Sequence, residues 1–416
     1  MSRLRFVFVT TILLFLLALR FYFFYSNQTI LKDGQKISFT SQFLSEPEQK
    51  GSFQRFSLRP KKSPRIFITT PAFPRYRYGQ TLKISGTIQQ RLLNDNRIVN
   101  TMFYPKITIK KEEQDFPQNI VFHARQKIRT VFQTTLPPVS ASLLLGIVFG
   151  GKEQLPKNFS DNLSSIGLVH IIAASGMNVT MLAGGVFLLL SFFYPRKTAI
   201  ALSLLALFFY MLLAGFSASI VRAGIMAGLA STASLLGKQY FALIALGITA
   251  YVMLLFDPGL FFDLGFQLSF LSTLGIILLS PLFSFGKKGK EKPVVSFFAS
   301  DIRTTTAAQI ATLPILMATF GQYGILSIPV NTLVLWMIPI LMILGGLGAL
   351  FALFFSFLAK IFLWLALPFL IYLQDIVIYF GKLNLNFHFD NFPMSFVIGY
   401  YLLLAAIILS KTKHKQ

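Results

Sequence analysis

The sequence has no cysteine in 416 residues, which excludes disulfides, thiolate metal sites and cysteine nucleophiles. Histidine is scarce as well. His123, His170, His388 and His414 are widely scattered, with no HxH or HExxH, so a histidine-rich metal site is not expected. No GxxxxGKS or GxxxxGKT occurs, so no phosphate-binding loop of that kind powers the chain. The most telling shortage is charge. Only 13% of residues are charged, where a soluble domain carries about a quarter, while 54% are hydrophobic.

What fills the chain instead is apolar runs of membrane-spanning length, each needing about 20 residues to cross ~30 Å of hydrocarbon. The reading is a polytopic α-helical membrane protein. The first run, roughly 6–25, follows Arg3 and Arg5 and is followed by no small-residue cleavage site, so it is read as a retained helix. Further candidate spans are 164–193, 198–215, 220–236, 240–256, 264–285, 304–320, 326–356, 361–380 and 393–410, about ten in all, some broken or re-entrant. The stretch LLLGIVFGG at 143–151 is too short to span. In 326–356, Gly345-Gly346-Leu347-Gly348 is the natural break point.

Formal net charge is +23, and its distribution is uneven. Residues 1–130 hold 22 of the 38 Lys and Arg but only 7 of the 15 Asp and Glu. The excess sits where the chain is not membrane-like, which suggests an anionic partner; anionic lipid and plain solubility are the competing readings. Arg196-Lys197, Lys238, the 287–292 cluster and Lys411, Lys413 and Lys415 are expected on the cytoplasmic side. Ten spans with the amino terminus inside satisfy all of them. Residues 26–138 then lie outside a cytoplasmic (inner) membrane.

Residues 26–116 read as short strands (KISFTS, RIFITT, TLKISGTIQQ, RIVNTMFY, KITIKK) separated by turn residues. Their number and spacing suggest a small extracytoplasmic sandwich or barrel, and a five-stranded OB-like β-barrel fits the size. Within PRYRYG, Arg75, Tyr76, Arg77 and Tyr78 are candidates for phosphate contact and base stacking. An edge strand with two solvated arginines is the plainer alternative. Residues 117–138 read as an amphipathic connecting helix, 139–410 as the helical membrane domain, and 411–416 as a basic cytoplasmic tail.

Polar residues inside spans are the functional candidates, because each either bonds a neighbouring helix or lines a path. They include His170, Ser175 and Asn178; Arg222; Asp263 and Gln267; and Asn331. Helix-breaking Gly176, Pro258-Gly259, Gly265, Pro314, Pro329 and Pro339 lie close by, and irregular backbone at membrane depth needs protein or a cavity around it. Arg222 with the Asp263/Gln267 pair is read as a pathway or gate. Ala173-Ala174-Ser175-Gly176 resembles the serine motif of intramembrane proteases, without its leading glycine. On one helix His170 and Ser175 stand about 140° apart and face different ways, and His388 lies in an external loop. No catalytic residue and no cofactor is assigned.

Three stretches together, GLVHIIAASGMNV (167–179), SASIVRAGIMA (217–227) and FDLGFQLSFLSTLGIILLSP (262–281), closely resemble the ComEC-type competence family. LLLGIVFGGKEQLP (143–156) and IATLPILMATFGQYGILSIPVNTLVLWMIP (310–339) match it as well. The resemblance runs from about residue 140 to 345, in order. It implies an inner-membrane channel, not an enzyme, that passes single-stranded DNA into the cytoplasm in natural transformation. His170, Ser175, Gly176, Arg222, Asp263, Gln267 and Asn331 then occupy motif positions. Asn178 stands where many members have histidine. Many members also continue into a metallo-β-lactamase-like domain, which is not expected in this chain. The resemblance implies an external DNA receptor, a cytoplasmic motor or helicase and a separate nuclease as partners; self-association stays open. The alternative is a secondary transporter or exporter of another anion, for which an internal repeat is the missing sign.

Overall fold

The computed structural model describes residues 3–42, 48–50, 52–60, 63–74, 76, 80–92, 98–111, 116–150, 155–172, 176–283, 293–324, 326–383, 385–388 and 393–413. Helix α1 (Arg3–Ser26) leads into strands β1 (Lys36–Gln42), β2 (Glu48–Lys50), β3 (Phe53–Leu58), β4 (Ile66–Pro71), β5 (Thr81–Thr87), β6 (Gln89–Leu92), β7 (Ile98–Phe103) and β8 (Lys106–Lys111). Then come α2 (Phe116–Thr135), α3 (Pro138–Phe149), α4 (Lys157–Ser165), α5 (Val169–Ile172), α6 (Gly176–Ser191), α7 (Arg196–Ala214), α8 (Ala218–Leu235) and α9 (Ala242–Phe256). After a 3-10 turn at Pro258–Phe262 follow α10 (Leu264–Leu279), α11 (Pro293–Phe320), β9 (Gln322–Gly324) and α12 (Ser327–Leu335). The chain closes with α13 (Ile338–Phe354), α14 (Ser356–Lys382), β10 (Asn386–His388) and α15 (Met394–Lys413). It divides into two compact units: Met1–Ile120 with Ile244–Gln267, and Val121–Leu243 with Leu268–Gln416.

In the first unit, side chains alternate along the strands as the period of 2 requires. Phe56 and Leu58 of β3, Ile66 and Ile68 of β4, and Leu82 and Ile84 of β5 point inward to one core. The expected closed five-stranded barrel is not what the described strands form. They form two sheets, β1-β5-β8 and β2-β3-β4-β7-β6, with β4 and β7 parallel and the other pairs antiparallel. The reason lies at two corners. Between β5 and β6 the chain turns at Ile88, fully buried, whose N–H donates to Gln35 O. Between β7 and β8 it turns at Tyr104 (φ 48°) and Pro105. At each corner the chain leaves one sheet for the other, as in sandwiches whose corners are made by switching strands. Gly86 is required there: a Cβ would stand 2.7 Å from Met102 Sδ and 2.9 Å from Pro105 Cβ.

Two ion pairs tie this β domain to the 3-10 turn of the same unit. Arg59 Nη1 donates to both carboxylate oxygens of Asp257 (2.7 and 2.8 Å), and Arg65 Nη1 to Asp263 Oδ2 (2.9 Å). The two arginines bracket the β3–β4 loop, and the two aspartates bracket the turn. From α1, Arg20 Nε donates to Leu255 O (3.0 Å), which satisfies a carbonyl at the end of α9.

The second unit is helical. Its largest core forms around α3, whose residues Ser140–Val148 are all buried. Small residues bring α13 close: a Cβ at Gly345 would lie 2.6 Å from Val148 Cγ2, and one at Gly348 would lie 3.0 Å from Leu363 Cδ2. That use explains a second difference from the sequence reading. The glycine run does not break the helix. The bend, of 51°, falls instead between α12 and α13, just before Pro339.

Among the described residues, four helices are long and apolar enough to cross a membrane: Arg196–Ala214, Ala218–Leu235, Leu264–Phe283 and Ser356–Lys382. The bent α12–α13 pair makes a fifth. The chain is therefore a helical membrane protein with a small sheet domain. It does not show the ten spans expected, because interrupted runs leave shorter apolar helices, Gly176–Ser191 and Ala242–Phe256 among them. The run at 164–193 divides into α4, α5 and α6, with Gly167 at φ +72° in its first break.

Candidate functional site

The polar residues of the second unit gather where helices begin or bend. Arg222 lies in the first turns of α8 and is 7% exposed. Its Nη1 donates to Ser269 O and to Thr273 Oγ1 on α10, one helical turn apart. Gly176, the first residue of α6, lies beneath its guanidinium, which fills the place a Cβ would take. Among the described residues, Arg222 Nε and Ser269 Oγ are buried without a hydrogen-bond partner, and Arg222 has no ion-pair partner. A full charge in an apolar bundle is costly unless compensated. The beginning of α6 adds the positive end of a helix dipole. Two positive features at one place favour an anion.

Asn178 and Tyr210 act on the end of α3. Asn178 Nδ2 donates to Ile147 O (2.7 Å) and Tyr210 Oη to Val148 O (2.6 Å). Both carbonyls belong to the last turn of a buried helix, where no intrahelical N–H remains. Asn178 is thus a cap, one that tethers α6 to α3.

His170 is exposed on the four-residue α5, and its Nδ1 stands 2.9 Å from Gly167 O. A carbonyl only accepts, so Nδ1 carries a proton. Gly167 packs on Ser327, the first residue of α12, where a Cβ would come within 2.6 Å of the serine Cβ. Ser327 Oγ donates to Gln309 Oε1 of α11 (3.1 Å). The histidine loop, α11 and the start of α12 therefore meet. One turn along α12, Asn331 is fully buried, and neither its Nδ2 nor its Oδ1 has a partner among the described residues. Ser175 lies outside the described residues.

In the first unit, Asp263 caps α10. Its Oδ1 accepts from Phe266 N (3.1 Å) while Oδ2 holds Arg65. Gln267 Nε2 donates to Phe261 O (2.9 Å). The gate reading grouped Arg222 with these two; the side-chain hydrogen bonds of Asp263 and Gln267 run to Arg65, Phe266 and Phe261. Of the four residues proposed for DNA contact, Arg75, Arg77 and Tyr78 lie outside the described residues. Tyr76 is 7% exposed and stands edge-on to Phe56 at 6.1 Å, so its ring belongs to the core and is not offered to a base. Burial pushes its phenol pKa up.

Sequence reasoning missed Thr273 as a partner of Arg222, and the pairing of Arg59 with Asp257. Ser269 and Thr273 share a helix face at i and i+4, which was readable; the 198-residue separation of Arg59 and Asp257 was not.

These features define a membrane protein with broken helices, a buried cation facing a helix start, and an attached two-sheet domain. A family model described as Competence protein matches residues 147–414, and the chain belongs to that family. ComE operon protein 3 of Bacillus subtilis (strain 168) is 30% identical over 221 residues, 52% of this chain and 27% of that protein. An uncharacterized protein of Aquifex aeolicus (strain VF5) is 32% identical over 148 residues, 35% of this chain and 35% of that one. The match thus spans about a quarter to a third of the length of these curated relatives. No solved structure matches.

Proposed function

We propose that this chain forms the membrane path by which single-stranded DNA enters the cytoplasm in natural transformation, and that Arg222 contacts its phosphates at the start of α6. One observation carries the reading: in a competence-family chain, a buried guanidinium with no carboxylate partner among the described residues stands against the positive end of a helix. Asn331 and His170 stand at a second polar junction on the path, and the α12–α13 bend supplies irregular backbone there. In this reading the amino terminus is cytoplasmic, residues 26–138 are extracytoplasmic, and the basic sheet domain meets incoming DNA. Asp263 and Gln267 set the beginning of α10 and act on the path through that helix. An external receptor delivers the DNA, a cytoplasmic motor pulls it, and degradation of the other strand falls to a nuclease.

The test is cytoplasmic entry of labelled DNA in a deletion strain, complemented with wild type, Arg222→Ala or Asn331→Ala at matched protein levels. The reading requires that the deletion bind DNA at the surface yet admit none, that wild type restore entry, and that Arg222→Ala fail. Normal entry in the deletion sinks it and turns attention to transport of another anion.

A further inference from the structure

The sheet β1-β5-β8 has a face with an unusual composition. Leu82 and Ile84 point into the core, so the alternate residues of β5 point out. The pairing register then lines up three rungs on the outer face. Thr40, Lys83 and Thr108 form one; Ser38, Ser85 and Lys106 form the next; Lys36 stands opposite Thr87 in the third. Lys36, Lys83 and Lys106 are all exposed, as are Ser38, Thr40, Thr87 and Thr108. Each of the three strands carries one of these lysines. KISFTSQ, TLKISGT and KITIKK contain no Asp or Glu, and their one aromatic, Phe39, packs against the core. The face is lysines and hydroxyls only.

Strands about 4.8 Å apart, with same-face residues about 6.7 Å apart along each, place the Lys83 and Lys106 backbones about 8 Å from one another. This is a lattice of cations and hydroxyls with no carboxylate on its three strands. Ser38 and Ser85 Oγ already stand 2.8 Å apart, so one of these hydroxyls donates to the other.

We infer that this face binds the phosphate backbone of nucleic acid and does not read or stack on its bases. A membrane surface fits less well, because interfacial binding uses inserted aromatic and apolar residues and the outer face has none. Base stacking is excluded for the same reason. The face therefore accepts duplex and single strand alike, independent of sequence. The inference rests on the DNA-uptake reading and moves the first contact away from the PRYRYG segment to Lys36, Lys83 and Lys106.

The test uses the full-length chain in nanodiscs of neutral lipid, with single-stranded and duplex 30-mers titrated across a range of salt. Compared with wild type, Lys36→Ala/Lys83→Ala/Lys106→Ala weakens both ligands about tenfold or more, and the log–log salt slope falls by about 2 for the single strand and about 2.7 for the duplex as roughly three phosphate contacts are lost. The triple Lys→Arg variant retains binding, which shows that the sheet is intact. Unchanged affinity and slope in the alanine variant overturn the inference. So does unchanged DNA binding with lost binding to vesicles containing anionic lipid, which assigns the face to the membrane. The import experiment reads the channel proposal separately: wild-type import alongside unchanged binding by the alanine variant sinks the face and leaves the channel.

Discussion

The guanidinium of Arg222 occupies the space above Gly176 that any side chain at 176 would need. The two residues are 46 positions apart, and each constrains the other. Gly176→Ala pushes the guanidinium away from Ser269 and Thr273. A buried charge-assisted hydrogen bond is worth roughly 1.5–3 kcal/mol, so DNA import falls about tenfold or more while the protein stays in the membrane. Labelled-DNA entry with immunodetection of the protein checks this. Normal import by Gly176→Ala refutes the coupling.

Asn331 is the opposite case, a fully buried side chain whose amide has no partner among the described residues. An unsatisfied buried amide costs about 1–3 kcal/mol. Asn331→Leu is expected to raise the thermal unfolding midpoint in detergent and to lose import. A leucine variant that is less stable, or that imports normally, shows the amide to be structural.

Asn178→Ala leaves the Ile147 carbonyl buried and unpaired, and lowers stability by about 1–3 kcal/mol. Asn178→His restores part of this, since a ring N–H replaces the amide donor. Unfolding of the three proteins side by side gives the answer, and an alanine variant as stable as wild type removes the capping role.

Arg59 and Asp257 are about one-third exposed, at 31% and 38% of their side chains. Solvent screening keeps such a pair near 1 kcal/mol or below. A double-mutant cycle of Arg59→Ala and Asp257→Ala should return a coupling of that size. Arg59→Ala alone costs more than Asp257→Ala, because the guanidinium also lies over the Phe24 ring at 4.9 Å. Equal single losses contradict that assignment.

Tyr76→Phe should leave both folding and DNA binding unchanged, because the ring packs against Phe56 and the burial is what matters. Tyr76→Ala should destabilise the sheet domain by about 3–5 kcal/mol, as truncation of a buried aromatic does. Loss of DNA binding in a folded Tyr76→Phe protein reverses this view.

The membrane class and the β-rich insert were legible because hydropathy and period-2 alternation are local signals. Gly176 as a break was legible for the same reason. Of the arginines and tyrosines in PRYRYG only Tyr76 lies among the described residues, and its ring is in the core; a run of basic and aromatic residues does not itself say which rings are buried. Asp263 just before an apolar run was a readable helix cap. The division of the strands into two sheets was not readable, since β4 meets β7 only after about 30 intervening residues. Span number was over-read because apolar length says nothing of breaks such as the one at Gly167. The bond of Asn178 to Ile147 crosses 31 positions and leaves no local trace.

The two corners at Ile88 and Tyr104–Pro105 also determine how the sheet domain bears load. If the lysine face holds DNA as inferred above, a strand drawn across it drags on β5 and β8. Each continues through a corner into the second sheet, so tension is shared by both hydrogen-bond ladders. Strands pulled along their axes resist in shear, with many bonds strained at once, whereas a free edge strand peels one bond at a time. On the DNA-uptake reading proposed above, a domain that holds a strand while a motor reels it in needs that kind of stiffness.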